Sequence, residues 1–295
     1  MQPQVTIITP VYNCERYIKQ TVESVLNQRY LNISYFVIDD GSTDNTYNFL
    51  GEYNDKICII HQDNAGEQKA VNRGLERIQG DYFIIVNADD PILPECISTL
   101  VDFMEENPEI LCAYPDWRMI DSVGNIIKHM QTPYYDFKFM VRHHWCQPSV
   151  GAMFRASVLK TVGYRDDRFR WVGDFDYWLR VGLAGPMARL PLELACWRRI
   201  DEQKSGDSNP LRASERLVLM DKFYSLPNIP PEIMKLKNEA YSWACLVAVS
   251  LSATTTDKAY YAGRALRYYP WHLFKIDFWY SMFKYFRYFL SRYWG

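Results

Sequence analysis

The chain has 295 residues, 48% of them hydrophobic and 23% charged, with a formal net charge of -2. Apolar content on this scale builds a substantial core and excludes a disordered chain. The near balance of charge excludes a general nucleic-acid binder, which carries a basic excess.

MQPQ leads straight into the strand-like VTIIT, without the charged, apolar and cleavage regions of a leader, so the expected location is cytoplasmic. From Val5 to about Pro115 strand and helix alternate. VTIIT, YFVID, ICIIH, YFIIVN and ILCAY read as strands; Cys14 to Gln28, with Tyr17, Ile18, Val22, Val25 and Leu26 on one face, and Gly66 to Ile78 read as helices. Such alternation predicts an α/β fold, Rossmann-like, with a mostly parallel central sheet and helices on both faces. The polar loops after its strands, 9–13, 39–44 and 87–90, then collect at one rim. From Asp116 to Arg199 the pattern loosens into a hairpin around Val123, Gly124 and Asn125, a helix over Gly173 to Leu183, and a closing strand or pair in ARLPLELACW. Beyond about Asn209 the composition is helical, over roughly 211–225, 231–252, 256–268 and 271–293. The expected domains are 1–209, divided into halves 1–115 and 116–209, and a C-terminal helical region 210–295. No stretch reaches the roughly 18 to 20 apolar residues of a membrane span.

Seven cysteines, at 14, 58, 96, 112, 146, 196 and 245, lack CxxC or His-paired spacing and read as small core residues of a reducing compartment. Two adjacent carboxylates close the apolar run FIIVNADD, and they repel each other unless a cation stands beside them. At a strand end such oxygen ligands suit a divalent metal that binds phosphates. In FVIDDGSTDNT, Asp39 and Asp40 precede a turn at Gly41 and Ser42, with Asp44 placed to cap the next helix. Taken alone, a turn and a cap explain that segment as well as a binding loop does.

VTIITPVYN, VIDDGSTDNT, NAGEQKAVNRG and FIIVNADD, in that order, resemble the family 2 inverting glycosyltransferases of GT-A fold. The resemblance implies that Thr9, Pro10 and Tyr12 line the base of a nucleotide-sugar and that Asp39 accepts its imide hydrogen. It also implies that Asp89 is the metal ligand, for Mn²⁺ or Mg²⁺. Asp40, Gly66, Lys69, Asn72, Asn87 and Ala88 complete the donor site, with Lys69 a counter-charge for the diphosphate or a solvated residue of a helix face. Asn87 stands where the acidic motif commonly has Asp, which makes metal binding depend on the nucleotide, and Asp90 is expected to cap the PILPE turn. WVGDFDYWLRVG resembles the family's segment carrying the general base, which falls on Asp174; Gly173 stands where relatives carry Glu. Asp176 and Arg180 are spaced to pair. Gln147, Trp178 and Arg198 are the acceptor-side candidates, Trp178 being equally a core residue. CWRRIDEQKS is similar to a segment that often reads Tyr-Arg-x-His, with Ile200 at the His position. The adjacent His143 and His144 lack a third ligand and do not read as a metal site.

The C-terminal WHLFKIDFWYSMFKYFRYFLSRYWG gathers aromatic residues on one helical side and basic ones on the other, a pattern suited to a membrane surface or to packing on protein. The expected function is transfer of a sugar, most readily from a UDP donor, to a saccharide or lipid-linked saccharide in bacterial surface polysaccharide assembly, at the inner face of the plasma membrane. The alternative is a nucleotide-sugar-binding or scaffold protein that has lost catalysis. A nucleotidyltransferase would need a Gly-rich, basic loop after the first strand, and TPVYNCER is not one.

Overall fold

The computed structural model describes residues 2–200 and 210–274. Among them, 2–135 and 147–200 form one compact unit, and 136–146 with 210–274 form a second.

The first unit is an eight-stranded sheet: β1 (Val5–Val11), β2 (Ile33–Asp39), β3 (Cys58–His61), β4 (Tyr82–Ile85), β5 (Cys112–Ile120), β6 (Ile126–Met130), β7 (Met153–Arg155) and β8 (Met187–Arg198). Strand order is β3-β2-β1-β4-β7-β5-β6, with β8 on β5. β1 is parallel to β2 and β4, β2 to β3, and β5 to β8; β7 runs antiparallel to β4 and β5, and β6 antiparallel to β5. The helices of this unit are α1 (Ile18–Leu26), α2 (Thr46–Gly51), α3 (Glu67–Leu75) and α4 (Cys96–Glu106), followed after α5 (Phe137–His143) of the second unit by α6 (Val158–Val162) and α7 (Gly173–Ala184). Strands this apolar need cover on both faces, and Val5, Ile7, Val37, Ile84, Ile97 and Leu100 lie in the resulting core. The expected strands, the hairpin and the helix at 173 are all present. The expected closing strand is the single β8, and α2, α4, α6 and β7 are elements that the reading of the sequence did not name.

The second unit contains α5 (Phe137–His143), α8 (Pro210–Ser225), α9 (Pro231–Met234), α10 (Lys237–Leu251) and α11 (Thr255–Tyr268), then a 3₁₀ turn over Pro270–Phe274. The helix expected over 231–252 is two helices, joined by a turn at Lys235 and Leu236. Leu219, Phe223, Ala244, Cys245 and Ala248 are buried within this unit. The helix expected over 271–293 lies outside the described residues from 275 onward. No helix among the described residues is long and apolar enough to cross a membrane.

Candidate donor and transfer site

Because β1 to β4 are parallel, their carboxyl ends share one edge, and three groups of predicted residues gather along it. The first lies after β1 and β2. Asp40 N–H donates to Val11 O at 2.8 Å, Asn13 N–H to Ser42 Oγ at 3.0 Å, and Thr43 N–H to Asn13 Oδ1 at 2.8 Å, so the two loops clasp each other. Gly41 has φ +74, and a Cβ there would meet Asn64 N at 2.8 Å, which reserves the position for glycine. Tyr12 is 46% exposed on this rim. Asp44 accepts Thr46 N–H at 3.0 Å and Glu15 N–H at 3.1 Å, so it caps α2 from the residue before Asn45 and also holds the first loop. Thr9 does not line a base: it is buried, with Oγ1 3.0 Å from Tyr35 Oη, and Pro10 is half-buried. Asp39 is buried too, bound to His61 Nδ1 at 2.6 Å. Asp40 organises the next segment. Its Oδ1 accepts the N–H of Ala65 at 2.8 Å and its Oδ2 that of Gly66 at 2.9 Å, and so it fixes the start of α3.

The second group is the acidic turn after β4. Asn87 is exposed, Ala88 buried and Asp89 half-buried. Asp90 does not cap the PILPE turn. Its carboxylate accepts Arg198 N–H at 2.8 Å and Asn87 Nδ2–H at 2.9 Å, which ties the turn to β8. Burial and then the charge of Asp89 push the Asp90 carboxyl up to about 8. Arg198 is not an acceptor contact either. At 1% exposure it donates from Nε to Asp89 O (3.0 Å), from Nη1 to Asp121 O (2.8 Å) and from Nη2 to Gln20 Oε1 (2.5 Å), with its guanidinium 4.7 Å from the Tyr17 ring centre. It is a brace for the acidic turn. Cys14 lies close to the same turn, its thiol pushed up to about 12 by burial and by Asp89, Asp44 and Asp90.

The third group joins α3 to α7. Asn72 exchanges two hydrogen bonds with the Arg165 backbone, at 2.8 and 2.9 Å, so its side chain is committed to structure. A Cβ on Gly173 would lie 2.5 Å from Gln68 Cδ, so α7 approaches α3 closely at this glycine. Lys69 and Asp174 are therefore exposed residues on the abutting first turns of two helices. Asp174 accepts Phe175 N–H on Oδ1 at 2.7 Å. Asp176 pairs with Arg180 at 2.8 Å, as spaced. Trp178 is a core residue, stacked on Phe154 at 4.8 Å, and Gln147 is buried with Nε2 donating to Tyr134 O at 2.9 Å, so neither presents a sugar shelf.

Among the described residues no three or more His, Cys, Asp or Glu side chains gather to hold a metal. The donor set at the acidic turn fits a cation held by one carboxylate, Asp89, and completed by substrate phosphate oxygens and water. His61, at the end of ICIIH, is the functional candidate that the sequence reading passed over. An apolar run ending in a polar residue at this rim was the available signal.

Comparison with known proteins gives a match to the family described as Glycosyl transferase family 2 over residues 6–163. The chain is 30% identical to the chondroitin synthase of Escherichia coli over 207 residues, 67% of this chain and 29% of that protein. It is 35% identical to an uncharacterized glycosyltransferase of Rickettsia felis over 271 residues, 87% of this chain and 44% of that one. The chain thus spans less than half the length of either. In fold it is similar to Staphylococcus aureus TarS 1-349 in complex with UDP-GlcNAc, with TM-score 0.64, 15% identity and 90% and 89% of the two chains covered. It is also similar to the mannosyltransferase PcManGT of Pyrobaculum calidifontis in complex with GDP-Man and Mn²⁺, with TM-score 0.62, 17% identity and 96% and 86% covered.

Proposed function

Since this chain belongs to glycosyl transferase family 2, we propose that it is a metal-dependent inverting glycosyltransferase that moves a sugar from a nucleoside diphosphate donor to a saccharide hydroxyl. The observation that carries this reading is a linked edge: a half-exposed Asp89 after β4, and an exposed Asp174 on a helix start packed against α3, whose first residues follow the loop that Asp40 holds. UDP is the first choice of nucleotide, and the acceptor is a free or lipid-linked saccharide of bacterial surface polysaccharide assembly. The nucleotide-sugars bound to the two structural neighbours support the donor part of the reading, and the Mn²⁺ bound to the mannosyltransferase supports the metal part.

Asp89 would hold Mn²⁺ or Mg²⁺ together with the donor's diphosphate; the bound ion neutralises charge on the departing phosphate. Lys69 adds positive charge near the same leaving group. Asp174 takes the proton from the acceptor hydroxyl as its oxygen attacks the anomeric carbon. The bond to the diphosphate breaks with its electron pair on phosphate, and one in-line displacement inverts the centre.

Nucleotide release from a panel of UDP- and GDP-sugars, with and without EDTA, tests the reading. Release is expected to require the metal. Asp174→Asn is expected to lower turnover by about 10²- to 10⁴-fold at unchanged nucleotide affinity, and Asp89→Ala to abolish the metal-dependent part of that affinity. Wild-type rates in Asp174→Asn would remove the base. Tight nucleotide binding without turnover on any donor and acceptor would make the chain a binding or scaffold protein.

A further inference from the structure

The carboxylate expected to read the base is sealed from solvent, and a histidine stands in front of it. Asp39 has no exposed side-chain surface; Oδ1 accepts Ser42 N–H at 3.3 Å and Oδ2 meets His61 Nδ1 at 2.6 Å. The His61 side chain is 51% exposed, on the last residue of β3 and opposite Asp39 in the parallel register. Tyr47 stands edge-on to its ring at 5.2 Å and is itself exposed, as is Tyr12 on the neighbouring loop.

We propose that His61 reads the nucleotide base through Nε2, and that it selects bases presenting a ring N–H, uracil or guanine, over cytosine and adenine. The inference rests on the nucleotide-donor reading above. An ionised carboxylate only accepts hydrogen bonds, so Asp39 fixes the hydrogen on His61 Nδ1. In the neutral ring Nε2 is then an acceptor and nothing else. Uracil N3–H and guanine N1–H can donate to it. Cytosine N3 and adenine N1 are acceptors, and they would face Nε2 with neither group paired, which costs more than a lost hydrogen bond alone. The exposed Tyr12 and Tyr47 rings offer apolar faces beside that contact, and an aromatic face is indifferent to base identity. Discrimination therefore falls to His61, with Asp39 as the residue that sets its tautomer.

Calorimetric titration of the full chain with UDP, GDP, CDP, ADP and N3-methyl-UDP, in Mn²⁺ at about pH 8, tests the proposal. The wild type is expected to bind UDP roughly tenfold more tightly than CDP or N3-methyl-UDP. His61→Asn keeps an N–H for Asp39 but has nothing in place of Nε2, and it is expected to bind UDP and N3-methyl-UDP equally. The wild-type comparison needs no variant to fold. Equal wild-type affinity for UDP and N3-methyl-UDP, or a variant that keeps the preference, would overturn the role of His61 and leave the donor reading standing. No binding of any of these nucleotides by the wild type would remove the donor reading and this inference together.

Discussion

Asp90 is buried beside Asp89, and burial followed by that neighbouring charge raises its carboxyl to about 8, far above the ordinary 3.8. A carboxyl whose folded pKa is raised binds a proton that the unfolded chain has released between those two values, so the metal-free protein loses stability as pH rises from about 4 to 8. Denaturant melts in EDTA across that range are expected to show the decline in the wild type and a flatter curve in Asp90→Asn. Arg198 sets the geometry of the same turn. Removing its guanidinium in Arg198→Met leaves the Asp89 and Asp121 carbonyls and the Gln20 side chain without this donor. The expected cost is about 3 kcal/mol, read as a lowered denaturation midpoint. Sequence suggested Arg198 for contact with substrate and Asp90 for a local cap, and the structure gives both to the frame that ties the acidic turn to β8. The reason is distance along the chain: the bond from Arg198 Nε to Asp89 O spans 109 residues, and no local pattern encodes it.

At the scale of elements, the meeting of α3 with α7 decides where the candidate base stands. Gln68 is buried against the Gly173 backbone, so even a methyl group at 173 must displace it. Gly173→Ala is expected to cost about 1 to 3 kcal/mol, and Gln68→Ala in the same chain to recover most of that loss. Thermal melts of the two single variants and the double variant would show this coupling, since contacting sites do not add. The sheet that carries these helices was legible because its buried strands are short apolar runs that end in polar rims. Helix α7 was legible from its spacing. β7 was not, having three residues and no period to read; nor was α6, with five. Side-chain burial was the other blind spot. Thr9, Gln147 and Trp178 are residue types that serve a binding loop or a core equally well, and only packing against Tyr35, Tyr134 and Phe154 separates the two.

At the scale of the molecule, the second unit has a core of its own, and its helices end in an exposed apolar turn. Trp271, Leu273 and Phe274 are exposed there, and Arg267 is exposed one turn before them. The sequence continues through residues 275–295 with Lys275, Lys284, Arg287 and Arg292 against the single acid Asp277, interleaved with aromatic residues. Aromatic and basic side chains in this mixture partition to the headgroup region of an anionic bilayer, where each basic residue contributes about 1 kcal/mol until salt screens it. The chain is therefore expected to sediment with vesicles containing anionic lipid, to release from them as salt is raised, and to leave neutral vesicles largely unbound. Trp271→Ser combined with Phe274→Ser is expected to lower vesicle binding severalfold while nucleotide release with a water-soluble acceptor stays unchanged, because neither residue belongs to the donor edge. Equal binding to neutral and anionic vesicles would remove the electrostatic part of this argument. Unchanged binding by the double variant would assign the attachment to other residues than this turn.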